Sequence, residues 1–339
     1  MKNSHKRIYL VTGATGFVGS HVIRQLEQSG QTVIGLARDE KKADKVLNGI
    51  KAKIIYGDIL EKEKVASLFT HAGKDAEIIV IHTAAIVYLG GNKKRVREMY
   101  NTNINGTKNI IELCLKNKCR LVHVSSVHAI PERKKRAPMT EVTDFDPRKV
   151  VGHYAKTKAT SSALVMTAVR EQGLKAVLVH PSGIVGPRDP SCTHMTQMVY
   201  DYLDGRIPAG TNGGYDFVDV RDVASGIITA ANDTSVGECY LLSNRYYSVQ
   251  QLYNAISTIS GHKPIKIFVP RLIVKCSLPL VALNDKIRHK RPLFSAYSLY
   301  TIGSNANFIH DKATHALNYN PRTLEESLKD MVAEYKERA

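Results

Sequence analysis

Several absences bound what this 339-residue chain can do. No run reaches the roughly 18 apolar residues that a membrane span needs; the nearest approach, IVKCSLPLVAL at 273–283, is short and interrupted by Pro279. The five cysteines (Cys114, Cys119, Cys192, Cys239, Cys276) form no CxxC pair and keep no metal-ligand spacing with the 13 histidines. An odd, scattered set of this kind reads as thiols in a reducing compartment, with no metal expected. The N-terminus, MKNSHKRIYLVTGATG, runs directly into an apolar strand and a glycine loop, unlike a secretory signal. No solenoid-type repeat and no long low-complexity tract appears. The expectation is a cytoplasmic, soluble protein.

What is present can build a large core. Hydrophobic residues make up 43% and charged residues 23%, which suits one large domain or two closely joined ones. Formal net charge is +17, with basic clusters at Arg133–Arg136 (RKKR) and Arg288–Arg291 (RHKR). Such a field favours anionic partners. Neither cluster is interleaved with aromatics and no nucleic-acid-binding motif accompanies them, so solvated loops and no nucleic-acid partner are expected. A phosphate-rich cofactor would account for only part of the charge. Membrane contact is likewise not expected, with one place for a peripheral exception at residues 270–291, where an apolar segment precedes RHKR.

Along the first half, apolar runs alternate with amphipathic segments. Strands are expected at 7–13, 31–38, 51–58, 76–85, 120–126 and 175–181, and helices at 16–29, 61–71, 94–118 and 151–172. Continuous Val/Ile/Leu runs suit strands covered on both faces. The fold class is therefore α/β, a doubly wound parallel sheet. After Pro181 the rhythm changes: a Gly/Pro-rich segment, a helix near 194–204, a strand–helix unit from Tyr215 and a strand at 238–243. A short strand at IKIFVP and a closing helix from about Leu324 follow. Residues 1–181, with 215–245 returning, are expected to form a dinucleotide-binding Rossmann domain. Residues 182–214 and 246–339 would form a smaller, partly interleaved substrate domain over the carboxyl edge of the sheet.

TGATGFVGSH at 12–21 places Gly13, Gly16 and Gly19 between the first strand and the first helix. Glycines there permit a tight turn and close backbone approach, with a helix N-terminus facing a pyrophosphate. The second strand ends in LARDEKK, with Arg38 directly after the apolar run, then Asp39, Lys41 and Lys42. A basic residue there welcomes a 2′-phosphate, whereas an acid would hold a 2′-hydroxyl. NADP(H) is thus favoured and NAD(H) remains open because of Asp39. In HYAKTKAT, Tyr154 and Lys158 stand four residues apart and share one helix face. By themselves they fit either a solvated turn or a proton donor with the cation that tunes it.

Taken in order, these segments resemble an extended short-chain dehydrogenase/reductase, with TGxxGxxG and YxxxK, and the likeness runs along nearly the whole chain. GDI (57–59), HTAA (82–85), NTNINGTKN (101–109), VSS (124–126) and HPSGIVGPRD (180–189) match further family segments. The closing segments DFVDVRDVASG and ALNYNPRTLEESLKDMV resemble the dihydroflavonol reductase and hydroxysteroid dehydrogenase branch. The resemblance implies a cofactor site at Gly13, Thr15, Gly16, Phe17, Val18, Gly19, Arg38 and Lys42, then Asp58 and Ile59 at the adenine. Thr83, Ala84 and Ala85 would lie beside the ribose, with Tyr154, Lys158, Pro181 and Gly183 completing the site. It implies catalysis by Ser126, Tyr154 and Lys158, Ser126 being preferred to the adjacent Ser125. Lys158 would hold the nicotinamide ribose and lower the Tyr154 pKa; Tyr154 would give a proton to a carbonyl oxygen that Ser126 also binds.

Tyr215-Asp216 stands where sugar-nucleotide enzymes often carry Arg-Asp, so a diphosphate clamp is missing. The leading expectation is an NADP(H)-dependent reductase of a small-molecule aldehyde or ketone, or the reverse alcohol oxidation. A sugar-nucleotide epimerase or dehydratase with tightly bound NAD is the alternative, and a cofactor-sensing protein without catalysis the minor one. Asn103, His128, His153, His194 and Asp222 are secondary candidates with structural readings beside the functional ones. Ile86, Val87, Tyr88 and Leu89 suggest a partly hydrophobic substrate. Relatives often dimerise through helices corresponding to 94–118 and 151–172, which makes a homodimer the corresponding expectation.

Overall fold

The computed structural model describes residues 6–73, 76–134, 137–276 and 296–338. The RHKR cluster and most of the 273–283 apolar segment lie outside these residues.

Seven parallel strands form the central sheet: β1 (Arg7–Thr12), β2 (Thr32–Ala37), β3 (Lys53–Tyr56), β4 (Glu77–His82), β5 (Arg120–Val124), β6 (Ala176–Pro181) and β10 (Cys239–Leu242). Their order is β10-β6-β5-β4-β1-β2-β3. Side chains alternate across each strand. Ile8 and Leu10 join the core on one face, while Tyr9 and Val11 join the core on the other. The strands are apolar at almost every position because both faces are covered.

Helix α1 (Phe17–Gln28) follows β1, α2 (Glu40–Val46) follows β2, and α3 (Lys62–Ala72) follows β3. The helix expected at 94–118 is three pieces in continuous succession: α4 (Lys93–Tyr100), a π-helical turn (Asn101–Asn105) and α5 (Gly106–Lys116). Thr107 Oγ1 of α5 donates back to the Asn103 carbonyl of that turn at 2.7 Å. Helix α6 (His153–Gln172) starts after Gly152, at φ 94°, and ends on Gly173 in the left-handed conformation. Both angles suit glycine because no Cβ is present to clash.

Beyond Pro181 the chain builds a second, smaller layer. β7 (Gly183–Val185), β9 (Gly214–Asp219) and β11 (Arg245–Ser248) form a three-stranded sheet, and β8 (Gly210–Thr211) pairs with β12 (Phe268–Val269). The strand–helix unit from Tyr215 therefore divides: β9 pairs in the small sheet, whereas α8 (Val220–Asn232) packs on α1 and β10 joins the main sheet. Helices α7 (His194–Leu203), α9 (Val249–Ser260) and α12 (Leu324–Arg338) pack together, with α10 (Ala296–Thr301) and α11 (Asp311–Leu317) between them in sequence. Strand order reverses between β1 and β4, which opens a crevice at their carboxyl ends. Among the described residues no helix is long and apolar enough to cross a membrane.

Candidate active site

The turn after β1 lies at that crevice. Gly13 has φ 71°, and a side chain on it would stand 2.8–2.9 Å from Thr83 Oγ1 and the Ala84 backbone. A side chain on Gly19 would strike the Gly13 carbonyl. Gly16 N–H donates to that carbonyl at 2.8 Å. Thr83 Oγ1 donates to the Thr12 carbonyl at 2.7 Å, and Ala84 N–H to Thr12 Oγ1 at 3.3 Å, so the ends of β1 and β4 are clasped together. Helix α1 begins at buried Phe17 with Gly16 as N-cap and no side-chain cap. Its first N–H groups are thus left for a ligand. Thr15, Val18 and Ala85 are half-buried around this cradle. A backbone cradle that any Cβ would fill, beside an uncapped helix start, fits a dinucleotide phosphate.

At the end of β2, Arg38 is exposed, its guanidinium 3.6 Å from the Asp58 carboxylate. Asp39 caps α2, accepting from Lys42 N–H at 2.9 Å. Lys42 Nζ reaches across to Ser191 Oγ at 3.2 Å. Ile59 is buried against Gly106, and Asn109 Nδ2 donates to the Ile59 carbonyl at 3.0 Å. Asp58 also accepts from Leu60 N–H.

The two serines that follow β5 separate in role. Ser125 Oγ is buried against Ser162 Oγ of α6 at 2.7 Å. Ser126 Oγ lies beside the Tyr154 phenol, close enough to draw its pKa down, and accepts from His128 N–H at 3.3 Å. Lys158, one turn beyond Tyr154, is buried and donates from Nζ to the Val124 carbonyl at 2.8 Å. That bond uses one of three N–H groups on the ammonium.

The electrostatics correct one expectation. Burial pushes the Tyr154 phenol up to about 12, with the Ser126 hydroxyl pulling against it. Lys158 does not lower it here, and burial lowers Lys158 itself to about 8. Both shifts have one cause: a low-dielectric site disfavours the charged form of each group.

An aromatic wall stands over the phenol. His128 Nε2 meets Tyr215 OH at 3.3 Å and Nδ1 meets Tyr297 OH at 3.1 Å. The His128 ring stacks on Tyr215 at 5.8 Å and stands edge-on to Tyr154 at 6.0 Å. Burial holds the imidazole at about 4 and raises both tyrosines, so all three rings are neutral near pH 7. Sequence reading weighed His128 as an isolated histidine and passed over Tyr297; the one local signal was the place of His128 two residues after Ser126.

Of the two readings of Asn103, a steadying contact to the backbone beside the crevice or a helix cap, its bonds match the first. Its Oδ1 accepts from Ile86 N–H, and Nδ2 donates to the Ile86 carbonyl and Thr157 Oγ1. Pro181 ends β6, and Gly183 lets β7 run close to the Asp216 carbonyl, 2.8 Å from where its Cβ would be. Asp216 is fully buried and accepts from Ser182 Oγ and Asn244 N–H. Asp222, in the first turn of α8, forms a paired bond with Arg322. His153 is exposed beside Tyr100, and His194 opens α7, away from the serine–tyrosine network. Val87 is exposed, and Tyr88 folds back to accept from Asn92 N–H ahead of α4. Among the described residues no His/Cys/Asp/Glu group could hold a metal.

A Rossmann sheet with a glycine cradle, and a serine, tyrosine and lysine at its carboxyl edge, is the architecture of an extended short-chain dehydrogenase/reductase. The chain belongs to the NAD dependent epimerase/dehydratase family, whose family model matches residues 9–242. It is 27% identical over 336 residues to sterol demethylase protein B of Methylococcus capsulatus, covering 97% of this chain and 98% of the relative. It is 30% identical over 267 residues to a dihydroflavonol 4-reductase-like protein of Synechocystis, covering 77% and 75%. A dTDP-glucose 4,6-dehydratase of Mycobacterium tuberculosis is also 30% identical, over 249 residues, covering 69% and 72%. The crystal structure of gox2253 superposes with a TM-score of 0.82 at 29% identity, covering 98% of both chains. The chain is therefore an NAD(P)-dependent enzyme of the oxidoreductase, epimerase and dehydratase superfamily.

Proposed function

We propose that the chain is an NADPH-dependent reductase of an uncharged, largely apolar ketone or aldehyde. The observation that carries this reading is the neutral aromatic wall of His128, Tyr215 and Tyr297 beside Tyr154. Tyr215 occupies the place where a diphosphate-binding arginine would stand, and its hydroxyl is engaged with His128. Such a surface suits a ring system better than a doubly charged nucleotide diphosphate. Two relatives carry sterol and dihydroflavonol in their names, which fits the same substrate class. Residues 182–214 and 246–339 would supply the rest of the substrate domain.

When bound, the nicotinamide cofactor supplies the hydride. Tyr154, pushed up to about 12, keeps its proton at neutral pH and is ready to donate it to the substrate oxygen. Ser126, beside that phenol and accepting from His128 N–H, has its one O–H to donate to the same oxygen as negative charge develops. Lys158 holds a positive charge beneath them and has N–H groups to give to a ribose. The preference for NADPH is supported by exposed Arg38 at the end of β2 and by Asp39 accepting from the Lys42 N–H as a helix cap; Arg38 and Lys42 would turn from Asp58 and Ser191 to meet a 2′-phosphate.

The similarity to a dTDP-glucose 4,6-dehydratase supports a second reading, with tightly held NAD regenerated in each cycle. Oxidation of NADPH and of NADH against alicyclic and aromatic ketones, with sugar nucleotides alongside, separates the two. The proposed reductase consumes NADPH with the uncharged ketones. Turnover of a sugar nucleotide without net cofactor use would replace it with the second reading.

A further inference from the structure

The segment from Gly261 to Cys276 carries an amphipathic surface that the reaction does not use. Ile265 and Phe268 pack against the core, whereas Ile267 between them is 62% exposed. Past Pro270, Leu272 is 73% exposed and Ile273 58%. A single exposed aliphatic side chain is ordinary; three of the strongly exposed aliphatics falling within seven residues call for an occupant. The cations Lys263, Lys266, Arg271 and Lys275 are all exposed around it, and residues 261–276 contain no Asp or Glu. The imbalance is wider than the patch: residues 239–310 hold nine Lys and Arg against one acid, Asp285.

We infer that the surface of residues 263–276 docks on an anionic phospholipid membrane. The aliphatic side chains enter the headgroup–acyl boundary while the ammonium and guanidinium groups meet lipid phosphates. Contact of this kind needs a one-sided patch and no spanning helix. Charge complementarity selects this occupant over a second copy of the chain, which would bring one positive field against another at a net charge of +17 each. The part of the sequence-level exception that falls at 277–291 lies outside the described residues, and the docking surface does not include it. The patch also borders the proposed chamber: Arg271 lies against Gly303, just past α10, whose Tyr297 bonds His128. Delivery of a lipophilic ketone from the bilayer rests on the proposed reduction; the docking itself does not.

The test is co-sedimentation of the full chain with phosphatidylcholine vesicles that contain or lack phosphatidylglycerol. The protein is expected to pellet with the anionic vesicles, to stay in solution with the zwitterionic ones, and to be released by high salt. Leu272→Asp with Ile273→Asp is expected to weaken partitioning at least about tenfold, and Lys266→Glu with Lys275→Glu to do the same. Both double variants should keep the parental melting temperature and NADPH binding, which separates lost docking from lost folding. No pelleting with anionic vesicles, or equal pelleting of parent and aspartate variant, would overturn the inference. A dimer in light scattering that the aspartate variant dissociates, without vesicle binding, would assign the surface to a second copy instead.

Discussion

Tyr154 and Lys158 were legible in the sequence as a pair on one helix face; their ionisation was not. A phenol four residues from an ammonium suggests a lowered pKa, yet burial dominates both groups and moves them in opposite directions, the phenol up to about 12 and the amine down to about 8. The reductive direction benefits, because the acid form of Tyr154 is the one populated. Lys158 then sets the alkaline limit. As pH rises through about 8 the buried amine loses its charge, and kcat/KM for carbonyl reduction is expected to fall with it. A pH–rate profile that stays flat to pH 10 would show that the Lys158 charge plays no part. Ser126 could be preferred over Ser125 only by resemblance from the sequence; the distinction in space is that Ser125 is committed to Ser162.

At the scale of elements, the main-sheet strands and the helices between them follow from continuous apolar runs and 3.6-residue periodicity, and the observed bounds differ from the expected ones by a few residues. The short strands β7, β8 and β11 were less accessible, because two to four residues carry little pattern and are held by partners far along the chain, whereas β12 falls inside the strand expected at IKIFVP. The π-turn at Asn101–Asn105 was hidden for a related reason: Asn103 is drawn to the Ile86 backbone, a tertiary contact that helix periodicity does not encode. Gly152 links elements as well. It enters α6 at φ 94°, and the Tyr297 ring of α10 lies directly where its Cβ would be. Gly152→Ala therefore combines backbone strain with displacement of that ring and is expected to cost on the order of 2–3 kcal/mol in urea unfolding. A variant as stable as the parent would mean that α10 does not rest on the start of α6.

For the whole molecule, three histidines lie within the central sheet where the sequence reads them only as polar interruptions of apolar strands. His82 and His123 are register partners on β4 and β5, and His180 lies on β6. All three are fully buried, and burial lowers His82 and His180 to about 3 and His123 well below its ordinary value. Each stays neutral in the folded chain and takes a proton on unfolding below about pH 6.5. Their depressed values remove stability as pH falls, about 2 kcal/mol each for His82 and His180 at pH 5 relative to neutrality, with His123 acting in the same direction. Asp216, raised to about 6 by burial, acts in the opposite sense and offsets less than one ring. The melting temperature is expected to drop steeply between pH 6.5 and 5, and His180→Phe, which can stack on Phe145 as the imidazole does, to flatten that slope. An unchanged melting temperature at pH 5 would contradict the buried neutral state.

The central claim is proton donation by Tyr154 in a carbonyl reduction, and Tyr154→Phe tests it most directly. NADPH oxidation should be followed for parent and variant with an uncharged ketone that the parent reduces, together with NADPH affinity. The account predicts a loss of turnover of at least about 10²-fold with cofactor affinity nearly unchanged. A phenylalanine variant that reduces the ketone at the parental rate would contradict it.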